Sequence, residues 1–377
     1  VYVELKLVSH RGQTIEAAVE QMLKPASGEA RSIPWNSLLL LVDGTNEVAT
    51  LHHTNFKAEL RDLLSRFAKL RVVLAGRPNS FRGEFEARIV VLQRLSDGQL
   101  SDLFRHVLSD AEKAKALLAT IRQNPFLCSW VRNPLHAGMV AKLADRAGLA
   151  SLTNHSSAVR RFVRYLLDRE KGQASADVTR ADWETKEVVL ARLAFETKSS
   201  NQGAFSRTTA RSILATAKAK ASASSLDISR FLEEVCDNHL LRRVDGDAMK
   251  FAHELYHDYV AATELEAREE LQAGLGCDFA LDHFGETDWS ECFRLFAGYS
   301  NASRILIEDG AEKNPFLAWR LLRDAGDETP ELVQRVSDEA YCALSAELKS
   351  STQATVASAC IFVLADLGRA DLLEQAI

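Results

Sequence analysis

Two stretches of the 377-residue sequence carry polar side chains at spacings that could do chemistry. In the first, Leu38–Val48 (LLLLVDGTNEV), an apolar run ends abruptly at Asp43-Gly44 and a second carboxylate follows at Glu47. A short continuous apolar run bounded by turn residues predicts a strand buried on both faces, as in a parallel sheet. Ligands of such sheets collect at the carboxyl ends of the strands, which is where Asp43 would project. The plainer alternative is a core strand closed by an Asp-Gly turn. In the second stretch, His253-Glu254-Leu255-Tyr256-His257 spells HExxH. On a helix that pattern puts two imidazoles on one face for zinc, with the Glu as general base. A third ligand would have to be Glu264, Glu266, Glu269 or Glu270.

The elements that must hold these groups can be read in chain order. Residues 2–7 alternate as a strand does, 14–23 read as a short amphipathic helix, and 24–34 form a loop rich in Pro, Gly and Ser. After the apolar strand, residues 53–70 have helical spacing (Phe56, Leu60, Leu63, Leu64, Phe67), and 71–76 (RVVLAG) form a second apolar strand that runs into Arg77-Pro78. Strand, helix, strand is a βαβ unit, so Asp43 and Arg77 are expected at one edge of a parallel sheet. A further strand is expected at 89–92. From Ser96 the periodicity is helical, over 97–109, 110–122, 126–147 and 157–171, and a polar loop follows at 172–182. Helices at 183–197, 207–220 and 227–239 precede LRRVDGDAMKF, a hairpin turning at Asp245-Gly246, and together they predict a winged helix. The helix before the wing carries Asp227, Glu233, Glu234 and Asp237 against Arg230, a charge pattern that phosphate repels. DNA is therefore not the expected partner, and the module reads as protein-packing. A long helix is expected over 251–270. Residues 278–377 read as short paired helices of HEAT type, as in NPFLAWRLLRDAG and SACIFVLADLGRADLLEQA, without a clean repeat period.

Composition agrees with a globular chain: 46% hydrophobic, 26% charged, net charge −6. The acidic balance argues against nucleic acid or an anionic membrane as the main partner, and no apolar run reaches the length of a membrane span. The six cysteines have no CxxC spacing, which suits free thiols in a reducing cytoplasm. The chain opens inside an expected strand, without a Met, and so reads as a fragment.

Four segments, in order, resemble the NACHT branch of the STAND NTPases. LLLLVDGTNEV looks like its Walker B segment, with Asn46 where a second Asp is usual. VVLAGRP (72–78) looks like sensor 1, and WVRNPLHAGMVAKL (130–143) is similar to its Asn-Pro-Leu segment. FAHELYHDYVAA (251–262) aligns with the winged-helix signature FxHxxFQEYxAA, with His257 and Asp258 as departures. The resemblance implies an α/β nucleotide-binding domain followed by mainly α structure. Its expected parts are a partial NACHT domain over 1–95, a helical subdomain over 96–175, a winged helix over 176–262 and a helical sensor or arm over 263–377.

It further implies that Asp43 holds Mg²⁺ through the metal's water shell, that Glu47 orients the attacking water, and that Arg77 places charge near the γ-phosphate. Pro134 would lie near adenine, and His253 would touch the β-phosphate of ADP. Exchange of ADP for ATP would open the molecule and let it self-associate, with an effector domain upstream and an activating ligand of unknown type. Each residue also has a plainer reading: Arg77 a surface residue before a Pro turn, Pro134 starting a helix, His253 a core or capping histidine. No Gly-Lys pair occurs anywhere, so the phosphate loop is expected upstream of Val1. The alternatives to a signalling ATPase are a non-catalytic scaffold with a decayed nucleotide site and, more remotely, the HExxH zinc peptidase.

Overall fold

The computed structural model describes residues 1–4, 8, 13–23, 33–43, 50–76, 88, 90–144, 152, 154–168, 182–221, 223, 225–244, 247–298, 303–325, 329–350 and 354–376. The chain divides into two compact units, one of residues 1–93 with 201–205 and one of 94–200 with 206–377.

The first unit is built on three parallel strands in spatial order, β1 (Tyr2–Glu4), β2 (Leu39–Asp43) and β3 (Arg71–Leu74). Tyr2 pairs with Leu41 and Glu4 with Asp43, while Leu41 pairs with Val73 and Val42 with Leu74. Helices α1 (Ile15–Leu23) and α2 (Thr50–Arg66) supply Ile15, Val19, Phe56, Leu60 and Leu63 to a core that takes Val3, Leu40 and Val42 from the sheet. Trp35, part of that core, stacks on Phe67 at 5.1 Å. Burial on both faces of β2 is not what the structure has. Leu40 and Val42 are buried, but Leu39 and Leu41 are 40% and 38% exposed. Successive strand side chains point to opposite faces, and the core assembled here lies on one of them. The described residues 90–92 form no strand and are exposed, in place of the strand expected at 89–92.

The second unit is mainly helical. Helix α3 (Asp97–Leu108) starts with a capping box, in which Ser96 and Gln99 each satisfy the other's backbone N–H. Asp110 caps α4 (Ala111–Arg122). The single helix expected over 126–147 is two, α5 (Pro125–Trp130) and α6 (Pro134–Ala144). Proline has no N–H to give to the preceding turn and clashes with it, so Pro134 can only begin a helix. Asn133 accepts from Leu135 N at 2.9 Å as the new helix starts.

Helix α7 (His155–Asp168) buries Ala158, Val159, Phe162, Val163, Leu166 and Leu167 on one face. Next come α8 (Trp183–Ser199), α9 (Arg207–Lys220), α10 (Ile228–Asp237) and the antiparallel strands β4 (Leu241–Arg243) and β5 (Ala248–Phe251). On α10, Glu234 is buried against Lys186 and Glu233 pairs with Arg207 and Arg243, so these carboxylates bind the module to itself.

Helix α11 (Glu254–Leu271) packs against α8 and buries Tyr259, Val260, Ala262 and Leu265. At its end Glu269 accepts from the backbone of Gly274, Gly276 and Cys277, and Gly274 turns the chain at φ +91, a conformation suited to glycine. Helices α12 (Leu275–Asp282), α13 (Ser290–Ala297), α14 (Ser303–Gly310), α15 (Pro315–Ala325), α16 (Pro330–Ser350), α17 (Ala354–Asp366) and α18 (Ala370–Ala376) follow. Pairs such as α14 with α15 and α16 with α17 lie against each other. Among the described residues no helix is long and apolar enough to cross a membrane, and all six cysteines are free.

Candidate functional site

Asp43 is the last residue of the central strand β2, and its carboxylate is partly buried. Its Oδ2 accepts a hydrogen bond from the Tyr2 hydroxyl at 2.9 Å. Beyond β3, Ala75 N still donates to Val42 O at 2.8 Å, so the segment leading to Arg77 leaves the sheet at the same carboxyl edge as Asp43. Glu47 and Arg77 themselves lie outside the described residues.

Pro134 and His253 belong to the second unit. Pro134 is exposed at the first position of α6. His253 is the N-cap of α11 in extended backbone, and its Nδ1 accepts from Leu255 N at 3.1 Å. Partial desolvation lowers its pKa, which favours the neutral ring that an accepting Nδ1 requires. His253 as a residue is exposed.

The HExxH pattern does not form a metal pair. The helix expected from 251 starts at Glu254, so His253 stands outside it and the two imidazoles do not share a helical face. His257 is buried, stacks on Phe251 at 4.4 Å, and donates from Nε2 to Ala194 O at 2.9 Å. A carbonyl only accepts, so that nitrogen carries a proton and has no lone pair for zinc. Among the described residues no group of three or more His, Cys, Asp or Glu side chains is placed to hold a metal ion.

A polar chain in the interior of the second unit escaped sequence reasoning. Trp130 Nε1 donates to His155 Nδ1 at 2.9 Å, and His155 Nε2 lies 2.7 Å from Glu291 Oε1. Indole N–H can only donate, which makes Nδ1 the acceptor and puts the His155 proton on Nε2, facing the carboxylate. Arg320 reaches the other oxygen of Glu291 at 2.7 Å, and Arg294 joins Glu291 to Asp324. Burial alone would raise the Glu291 carboxyl, but the His155 hydrogen bond and the charges of Arg294 and Arg320 outweigh it and hold the pKa far below the carboxylate range. Residues 136 positions apart meet here, and the only advance signal was charge interrupting apolar helix faces.

His136 stacks on Trp130 at 4.3 Å, and its Nδ1 lies 3.2 Å from Trp130 O. Burial, with His155 nearby, pushes its pKa down to about 4. The unfolded chain therefore takes up this proton at higher pH than the folded one. The stability involved is intact above about pH 6.5 and is lost as the pH falls toward 4, by roughly 3 kcal/mol. Denaturant titrations across that window, wild type against His136→Phe, should show the wild type losing more. Parallel curves would mean that His136 does not titrate in this way.

No protein-family model matches the chain. No curated protein matches it either.

Proposed function

We propose that this chain is part of a nucleotide-gated signalling ATPase of the NACHT and STAND type, switching between a closed ADP state and an open ATP state that self-associates. One observation carries the reading: Asp43 ends the central strand of a parallel sheet, at the edge where such sheets bind ligands, beside the exit of the segment bearing Arg77. The donor chemistry suits the ion. A carboxylate oxygen is a hard ligand, and one carboxylate is enough for a Mg²⁺ that keeps most of its water and shares the nucleotide's phosphates.

When bound, Mg²⁺ would neutralise charge on the β- and γ-phosphates. Asp43 would hold the metal's water shell, Glu47 would orient the attacking water, and Arg77 would set a fixed positive charge by the γ-phosphate. By the same resemblance Pro134 would border adenine, and His253 would meet the β-phosphate. The phosphate loop would come from a segment other than 1–377, since no Gly-Lys pair is present. We assign 96–175 to the helical subdomain, 176–262 to the winged helix and 263–377 to the sensor or arm.

The test is ATP turnover by the full-length protein against Glu47→Gln and Asp43→Asn. Glu47→Gln should lose about 10²–10⁴-fold in kcat while still binding nucleotide. Unaltered turnover would remove Glu47 from the role. The scaffold reading also has an observation in its favour: His253 Nδ1 and His257 Nε2 are both engaged by backbone, as structural histidines are. A full-length protein that binds no ATP or ADP would decide for it.

A further inference from the structure

The bond from Tyr2 to Asp43 crosses two neighbouring parallel strands on a diagonal. Tyr2 pairs with Leu41, and Asp43 lies two residues beyond Leu41, so both side chains stand on the same sheet face. Reaching forward by two residues takes a long side chain with a donor at its tip, and the phenol is that. Tyr2 is 50% exposed, and it shares its face with the exposed Leu39, Leu41 and Val73. Core burial therefore contributes little to fixing the ring, whereas its hydroxyl is held on the carboxylate at 2.9 Å.

We propose that Tyr2 is a positioning residue for the metal-binding carboxylate. Its O–H commits Oδ2 to the protein and sets the rotation of the carboxylate plane, so that metal-bound water meets Asp43 in one orientation. The inference rests on the nucleotide-binding reading above and adds to it a residue from a different strand. Groups that hydrogen-bond a metal-holding side chain typically alter metal affinity by about 10–100-fold when removed.

The experiment is equilibrium binding of ADP to the full-length protein, with Mg²⁺ raised from zero, for wild type and Tyr2→Phe. Tyr2→Phe keeps the ring and loses only the hydroxyl. The Mg²⁺ concentration that gives half of the metal-dependent gain in affinity should rise about 10-fold or more. Affinity measured with the metal chelated should be the same in both proteins, which a merely structural defect would not leave intact. Tyr2→Leu, lacking both ring and hydroxyl, should match Tyr2→Phe in its Mg²⁺ dependence. Coincident Mg²⁺ curves for wild type and Tyr2→Phe would overturn the proposal and leave the ATPase reading standing. A wild-type protein that binds no ADP at any Mg²⁺ concentration would overturn both.

Discussion

Lys198→Ala should lower the free energy of unfolding by about 3–5 kcal/mol, the largest effect expected of a single substitution in the second unit. Lys198 Nζ lies 2.6 Å from Asp258 Oδ1, with side chains 6% and 5% exposed. The ammonium also sits 5.4 Å from the ring centre of Trp289. Burial opposes charge on both groups, yet at this separation the carboxylate holds the lysine pKa above its ordinary value. Truncating the lysine strands Asp258 with its charge uncompensated, and that stranding sets the size of the loss. A paired apolar replacement, Lys198→Met with Asp258→Leu, removes both charges and should recover most of it. Chemical denaturation of the three variants is the measurement. A loss under about 1 kcal/mol for Lys198→Ala would show that water reaches the pair.

Gly298→Ala should be the second large effect, toward the upper end of the 1–3 kcal/mol range usual for overpacking, or ~3 kcal/mol. A Cβ at Gly298 would lie 2.0 Å from Ser156 Oγ and 2.5 Å from Ser156 Cβ. Ser156 is buried at the start of α7, and its hydroxyl donates to Arg294 O on α13. Neither helix can give way cheaply, because His155, the preceding residue, is bound to Glu291 on that same α13. The double variant Gly298→Ala with Ser156→Gly removes the colliding atoms and should be more stable than Gly298→Ala alone. Simple additivity of the two single changes would mean that the contact is not the cause.

Much of the first unit was legible because local pattern and tertiary environment agree there. Apolar runs ending at Asp43 and Gly76, separated by helical spacing, can hardly be anything but parallel strands with a crossover between them. The two-sided burial expected of Leu38–Val42 failed for a reason within the run itself: an unbroken apolar stretch has no alternation to reveal which face the core lies on. At Pro134 the breaker was visible, but continuous apolar spacing on either side suggested one helix; the missing N–H decided for two. HExxH failed at a helix boundary. One turn of displacement separates a metal pair from a cap plus a core histidine, and a pattern match cannot see where a helix starts.

What the linear order of residues determined by itself was the succession of elements: strands from apolar runs, and helices from apolar periodicity, whose first turns Ser96, Asp110, Asp182 and Asp227 cap. These depend on backbone preferences and hydrogen bonds within a few residues. Partnership among buried charges was decided only by the tertiary structure. Lys198 finds Asp258, and Trp130 reaches Glu291 through His155, because helices remote in sequence pack side by side. Taking a charge out of water is tolerable only beside its complement, and no spacing rule along the chain says which complement that will be.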